Sequence, residues 1–123
     1  MAKRPVNLNL LTIRFPLTAI ISILHRVSGF ILFLIIPIFL GLLTISLKSP
    51  EGFFIAHNCL TYPLIKVLIL GFLFALFYHL LAGIRHLVMD SGIGEDLKSA
   101  RFTAWLVIGS AIVLTTMMGI YLW

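Results

Sequence analysis

Two histidines and an arginine interrupt one long apolar run of this chain, in the segment from Tyr78 to His86. His79 lies among uncharged residues, and Arg85 and His86 follow it about two helical turns later. Ionisable side chains are costly inside a bilayer, so a residue of this kind commonly has a functional role. An imidazole at membrane depth can ligate a metal or haem iron, or it can relay protons. The alternative is a histidine that only hydrogen-bonds to a neighbouring helix.

A second group of polar residues occupies positions 22–29, whose sequence is SILHRVSG. Ser22 and Arg26 are four residues apart and therefore share a helical face, which His25 flanks. An isolated arginine here would simply extend its charged end to the membrane surface. A polar cluster built from both segments would instead suit carboxylates, such as haem propionates, or the polar head of a quinone whose tail lies in lipid.

The composition indicates a membrane protein. Of the 123 residues, 61% are hydrophobic and 11% are charged, less than half of the roughly 25% that is usual in globular proteins. A soluble domain of this length could not bury so much apolar surface. Three apolar stretches, 27–47, 67–84 and 102–123, carry no Asp, Glu, Lys or Arg, and a spanning helix needs about 20 such residues. We therefore predict an all-α membrane protein with three transmembrane helices.

Proline, glycine and charged residues place the expected boundaries within a single membrane domain. Pro16 and Pro63 suit the first turn of a helix, and the stretches at 48–52 and 91–94 are typical helix ends. The predicted order is an N-terminal segment, a first helix, an outer loop, a second helix, an inner loop and a third helix. The corresponding ranges are 1–19, about 20–47, 48–62, about 63–90, 91–101 and about 102–123.

The basic residues predict the orientation of these helices. If the N-terminus and the second loop lie on one side, that side carries seven of the nine basic residues: Lys3, Arg4, Arg14, Arg26, Arg85, Lys98 and Arg101. The positive-inside rule then places the N-terminus in the cytoplasm and the C-terminus in the periplasm. This distribution also explains the net charge of +5, and without a basic run or an aromatic-interleaved patch we expect no nucleic-acid partner.

Depth along the second helix separates the two histidines. His79 precedes Asp90 by 11 residues, or about 16 Å of helix, which is close to half of the roughly 30 Å hydrocarbon core. His79 is therefore expected near the midplane, and His86 near the cytoplasmic surface, level with His25. A low-spin b-type haem often takes two histidine ligands, and only one histidine is expected at the midplane. If His79 binds haem, the second ligand should come from another chain.

Four stretches resemble a known family: residues 4–8 (RPVNL), 14–29, 49–53 (SPEGF) and 78–90. They are similar to the cytochrome b subunit of succinate dehydrogenase, the larger of the two small membrane anchors of respiratory Complex II, in its bacterial form. The resemblance covers nearly the whole chain, and it rests on two long motifs at the right separation.

The resemblance implies a role for each polar residue. His79 matches an axial ligand of haem b, and a smaller membrane-anchor subunit supplies the second histidine. Ser22 and Arg26 match quinone-binding residues beside the iron–sulfur subunit. The positions near the haem propionates are His25, Arg26, Arg85 and His86.

The resemblance also implies the function of the whole assembly. Succinate is oxidised at FAD in a flavoprotein subunit, and electrons pass through iron–sulfur clusters in a second subunit to ubiquinone, the substrate at the membrane anchors. This chain would be a non-catalytic anchor in the bacterial inner membrane, surrounded by lipid. One alternative is the anchor of a quinol:fumarate reductase. The other is a haem-free structural or transport subunit, although a transporter would be expected to show broken spans or repeats.

Overall fold

Four helices make up the computed structural model, which describes residues 15–123. They are α1 (Leu17–Lys48), α2 (Pro50–Thr61), α3 (Pro63–Asp90) and α4 (Leu97–Leu122). Helices α1, α3 and α4 are long and apolar enough to cross a membrane, which confirms the predicted all-helical fold with three spans. The basic residues Lys3, Arg4 and Arg14, and the motif at 4–8, lie outside the described residues.

Helix α2 occupies the segment that the sequence predicted as an outer loop. Ser49 caps it by accepting a hydrogen bond from the backbone nitrogen of Gly52 at 3.0 Å, and Pro50 takes the first helical position. The same residues that end α1 therefore begin a new helix. Gly52 and Ala56 are buried, and a Cβ atom at Gly52 would overlap the carbonyl oxygen of Ile45. Glycine thus allows α2 to pack directly against the end of α1.

Helix α4 begins at Leu97, five residues before the expected start. Asp96 caps it, since its carboxylate accepts a hydrogen bond from the backbone nitrogen of Ser99 at 3.0 Å. Hydrogen bonds from the side chain and backbone of Ser99 lower the pKa of Asp96, which favours the charged form of the cap. A negative charge at this end of a helix is also favoured by the helix dipole. The polar residues before the apolar stretch are therefore helical.

Small residues hold the three spans together. The buried cluster consists of Ile21, Tyr78, Ala82, Ala104, Val107 and Ala111. Alanines at a helix interface let the backbones approach closely, which is how helices associate in lipid. Most of the large apolar side chains, including Phe30, Phe33 and Trp105, point outward instead. The outer surface of the bundle is thus suited to lipid and to other membrane subunits.

Candidate functional site

Three histidines meet between α1 and α3. The ring of His25 on α1 is stacked on the ring of His79 on α3, with 4.2 Å between the ring centroids and 12° between the planes. The ring of His86, two turns further along α3, is tilted against that of His25, with 5.3 Å between the ring centroids. The sequence separated His25 from His79 by depth, but the structure places their side chains in contact. The result is a continuous row, His79–His25–His86, which we call the histidine row.

The backbone and Ser28 determine the tautomer of His79. Its Nδ1 atom lies 3.0 Å from the carbonyl oxygen of His25 and 3.2 Å from the Ser28 hydroxyl. The Ser28 hydroxyl itself donates to the same carbonyl at 2.8 Å. A carbonyl oxygen can only accept, so Nδ1 carries the proton and Nε2 keeps its lone pair. A histidine held in this way presents Nε2 as a metal ligand.

Two glycines make room for the row. A Cβ atom at Gly29 would lie 2.8 Å from Cε1 of His79, and one at Gly83 would lie 3.2 Å from Nε2 of His25. Each ring therefore rests against the backbone of the opposite helix, at a distance that a methyl group would prevent or strain. Gly29 and Gly83 thus determine where the imidazoles lie.

Other groups near the row were not predicted as site residues. Ser28, which lies within the SILHRVSG motif, is buried, with 6% of its surface exposed. Tyr78 is also buried, and its hydroxyl donates to the carbonyl oxygen of Ile21 at 3.0 Å, which ties α3 to α1 beside His79. The sequence contained a signal for both residues, since Tyr78 is next to His79 and Ser28 is about one helical turn from His25. Their contact partners depend on how α1 crosses α3, which the sequence alone does not reveal.

His86 has a polar atom without a partner. Within residues 15–123, its Nε2 atom is buried and makes no hydrogen bond. A buried polar atom of this kind costs free energy unless another group satisfies it. His86 therefore ends the row with a polar atom that the described residues leave unsatisfied.

The structure places Arg85 away from the histidine row. Its side chain points between α3 and α4, where Nε donates to the Thr103 hydroxyl and Nη2 donates to the carbonyl oxygen of Ala100, both at 3.1 Å. The hydrogen bonds of Arg85 therefore go to α4 and not to the polar residues of α1 with which it was grouped. The physical reason is the helical rotation of about 100° per residue, which turns Arg85 away from the face that His86 occupies.

Ser22 and Arg26 lie at the edge of the site. Ser22 is half-buried and Arg26 is exposed, one turn apart on α1 and beside His25. The spacing that predicted a shared face is retained within the helix. Residues 15–123 leave Arg26 exposed and Ser22 partly exposed, so within this part of the chain both can be reached by a ligand or by another subunit.

An apolar groove adjoins the site on the side of Ser28 and Tyr78. It has a volume of about 520 Å³ and lies between α1 and α3. Leu24, Ile31 and Phe72 are among the apolar side chains that line it. The groove therefore provides an apolar wall beside the polar contacts of His79.

The fold and the site together define a three-span helical membrane protein with a histidine site between its first two spans. The family described as "Succinate dehydrogenase/Fumarate reductase transmembrane subunit" matches residues 1–118. The succinate dehydrogenase cytochrome b556 subunit of Coxiella burnetii is 42% identical over 123 residues, which are 99% of this chain and 98% of that protein. The subunits of the same name from Rickettsia felis and Paracoccus denitrificans are each 34% identical, covering 94% and 93% of this chain, and 90% and 88% of their own lengths. The chain belongs to the succinate dehydrogenase cytochrome b subunit family of membrane anchors.

Proposed function

We propose that this chain is the haem b-binding membrane anchor of a succinate:ubiquinone oxidoreductase, and that it forms part of the ubiquinone site. The observation that carries this proposal is the hydrogen bond between Nδ1 of His79 and the carbonyl oxygen of His25. It leaves Nε2 of a histidine within an apolar span able to ligate iron. The relatives are themselves named as cytochrome b subunits.

The residues around His79 fit a haem. His79 would supply the axial nitrogen, and the apolar groove would accept part of an apolar macrocycle. His25, Arg26 and His86 would face its propionates, and a propionate oxygen would provide the missing partner of His86 Nε2. When bound, haem b supplies a one-electron redox centre. Arg85 points towards α4, and its position near the propionates stays a prediction of the resemblance.

The second axial ligand is proposed to come from the smaller anchor subunit. His25 is the nearest other imidazole, but its ring is parallel to that of His79. With the two rings stacked face to face, His25 would not serve as a second ligand of an iron bound to His79. Among residues 15–123, no three His, Cys, Asp or Glu side chains, those of the histidine row included, are arranged so that they could hold one metal ion. A histidine from a partner chain would satisfy this requirement.

Ser22 and Arg26 are the proposed contribution of this chain to quinone reduction. The Ser22 hydroxyl would donate a hydrogen bond to a quinone oxygen, and the Arg26 guanidinium would stabilise negative charge that develops there. Because Arg26 is exposed among residues 15–123, we propose that other subunits complete the pocket. We propose that the iron–sulfur subunit covers this face and delivers electrons received from FAD in the flavoprotein subunit.

The proposed location is the bacterial inner membrane, with Ser22 and Arg26 towards the cytoplasm and the C-terminus in the periplasm. The described basic residues Arg26, Lys98 and Arg101 lie towards the proposed cytoplasmic side, which supports this orientation. A quinol:fumarate reductase would use the same anchor in the opposite direction. The redox potential of the bound quinone distinguishes the two directions.

A visible spectrum of the purified membrane complex tests this function. We expect a b-type spectrum that appears on reduction, and we expect the preparation to contain a flavoprotein, an iron–sulfur protein and a second small anchor. Succinate should reduce ubiquinone in this preparation. A complex without haem absorbance, or a chain that purifies without a flavoprotein subunit, would contradict the proposal.

Replacing Gly29 by alanine should lower the haem content of the complex. The new methyl group would lie 2.8 Å from Cε1 of His79, so the ring would have to move from the position that its hydrogen bonds define. Changes of this kind around a ligand typically reduce affinity by about tenfold or more. The haem-to-protein ratio, measured by absorbance, reports the effect.

Gly41→Ala is the matched control, since it lies in the same helix and a Cβ atom there meets nothing within 4 Å. Both variants gain the same helix propensity. Equal haem content in Gly29→Ala, Gly41→Ala and the unmodified complex would show that Gly29 does not position His79.

A further inference from the structure

Arg85 is a buried cation between two membrane-spanning helices. Only 6% of its surface is exposed. Within residues 15–123, its hydrogen bonds go to the Thr103 hydroxyl and the Ala100 carbonyl, which are both uncharged. The acidic residues of the segment between α3 and α4, Asp90, Glu95 and Asp96, are exposed rather than folded back onto it. The guanidinium therefore has hydrogen-bond acceptors but lacks the negative charge that a buried cation favours.

A groove of about 280 Å³ leads from Arg85 to the outer surface of the bundle. Its walls are apolar, with Leu81 and Ile84 from α3 and Leu106 from α4, and two hydroxyl groups lie along it at Thr103 and Ser110. Ile84 and Leu106 are 51% and 56% exposed, so the groove opens sideways towards lipid. The arrangement combines a positive end with an apolar channel.

The depth of Arg85 matches that of a lipid phosphate. Helix α3 has 28 residues and is about 42 Å long, so it extends about 6 Å beyond each side of a 30 Å hydrocarbon core. Arg85 precedes the last residue of α3, Asp90, by five residues, or about 8 Å of helix. The guanidinium therefore lies near the boundary between the acyl chains and the headgroups.

We propose that this groove binds an anionic phospholipid, with its phosphate on Arg85 and an acyl chain along Leu81, Ile84 and Leu106. The phosphate supplies the charge that Arg85 lacks, through charge-assisted hydrogen bonds. Basic pockets between transmembrane helices recognise lipid headgroups by this chemistry. The exposed residue Lys98, near the start of α4, adds positive charge on the same side of the membrane. The site is separate from the histidine row, because it lies between α3 and α4.

Counting retained lipid on the intact complex tests this site. The purified complex is washed in detergent and supplied with phosphatidylglycerol, and the tightly bound molecules are counted by native mass spectrometry. We expect Arg85→Met to lose one bound phosphatidylglycerol and Arg101→Met, which removes an exposed arginine nearby, to retain it. Ser110→Phe should lose the same molecule, because the aromatic ring would fill the groove. This second variant leaves the contacts of Arg85 with α4 in place, so it decides the question even if Arg85→Met does not assemble.

Two further experiments distinguish the phosphate of an anionic lipid from a free phosphate ion. Phosphatidylcholine, which has no net charge, should not replace the retained molecule, and inorganic phosphate at millimolar concentration should not displace it. Unchanged lipid counts in both Arg85→Met and Ser110→Phe would overturn the proposal. Displacement by inorganic phosphate alone would also overturn it, since the site would then bind a free anion without using the groove.

Discussion

Replacing His79 by alanine is expected to cause a large loss of haem absorbance from the purified complex. The variant removes the nitrogen atom that we propose as an axial ligand, whereas its neighbours retain their own contact, since the Ser28 hydroxyl still donates to the His25 carbonyl. Loss of a supporting residue around a metal typically reduces affinity by about 10–100-fold, and loss of a ligand itself should cost at least as much. Any remaining haem should have an altered spectrum, because its axial ligation has changed.

His57→Ala is the appropriate control for this experiment. His57 is an exposed histidine on α2, where it stacks on Phe53 and has no contact with the histidine row. The variant should keep the haem content and spectrum of the unmodified complex. If His79→Ala also kept both, the assignment of His79 as a ligand would be wrong, and the histidine row would have only a packing or proton-transfer role.

The second large effect is expected when Ser22 or Arg26 is replaced. Arg26→Leu should reduce the rate of ubiquinone reduction by about 100-fold, and Ser22→Ala by about tenfold, because each removes a group that stabilises charge on the reacting oxygen. Succinate oxidation with an artificial dye should persist in both, since the proposed FAD and iron–sulfur clusters belong to other subunits. The ratio of the two activities is the measurement.

Ser46→Ala and Lys48→Leu provide matched controls on the same helix. Ser46 is half-buried and Lys48 is exposed, as Ser22 and Arg26 are, but both lie at the opposite end of α1. These variants should keep the normal ratio of quinone to dye activity. Normal quinone turnover in both Ser22→Ala and Arg26→Leu would contradict a quinone site at this position. Equal losses of quinone and dye activity would instead indicate a failure of assembly.

The spans were predictable because lipid imposes a simple requirement on sequence. A helix that crosses the hydrocarbon core needs about 20 apolar residues without charge, and three stretches of this chain meet that condition. Helix α2 was not predicted, since Ser49 and Pro50 can equally end one helix or begin the next. The packing of Gly52 and Ala56 against α1 decides that a new helix begins here. This packing brings together residues from two helices, and a pattern read along the chain does not predict it.

In the candidate site too, the types of residue were predictable from the sequence, but their contacts were not. The position of His79 within an apolar run was enough to propose a ligand, and its spacing to His86 placed both on similar faces of one helix. The contact of His25 with His79 could not be predicted, because the depth of two Cα atoms does not reveal how far their side chains reach between crossing helices. The direction of Arg85 was also unpredictable, since it depends on which face of α3 the chain covers with α4.

Without any structure, the order of residues was therefore enough to predict a three-span membrane protein of the succinate dehydrogenase anchor family and to identify the residues able to do chemistry. Hydrophobic length and local motifs are properties of neighbouring residues, and they are readable without a fold. The packing of the helices was needed to show that His79 donates from Nδ1 to the His25 carbonyl and keeps Nε2 for a ligand. It also separated Arg85 from the histidines. Both results depend on how α1, α3 and α4 pack, because the partners of each polar group lie on a different helix.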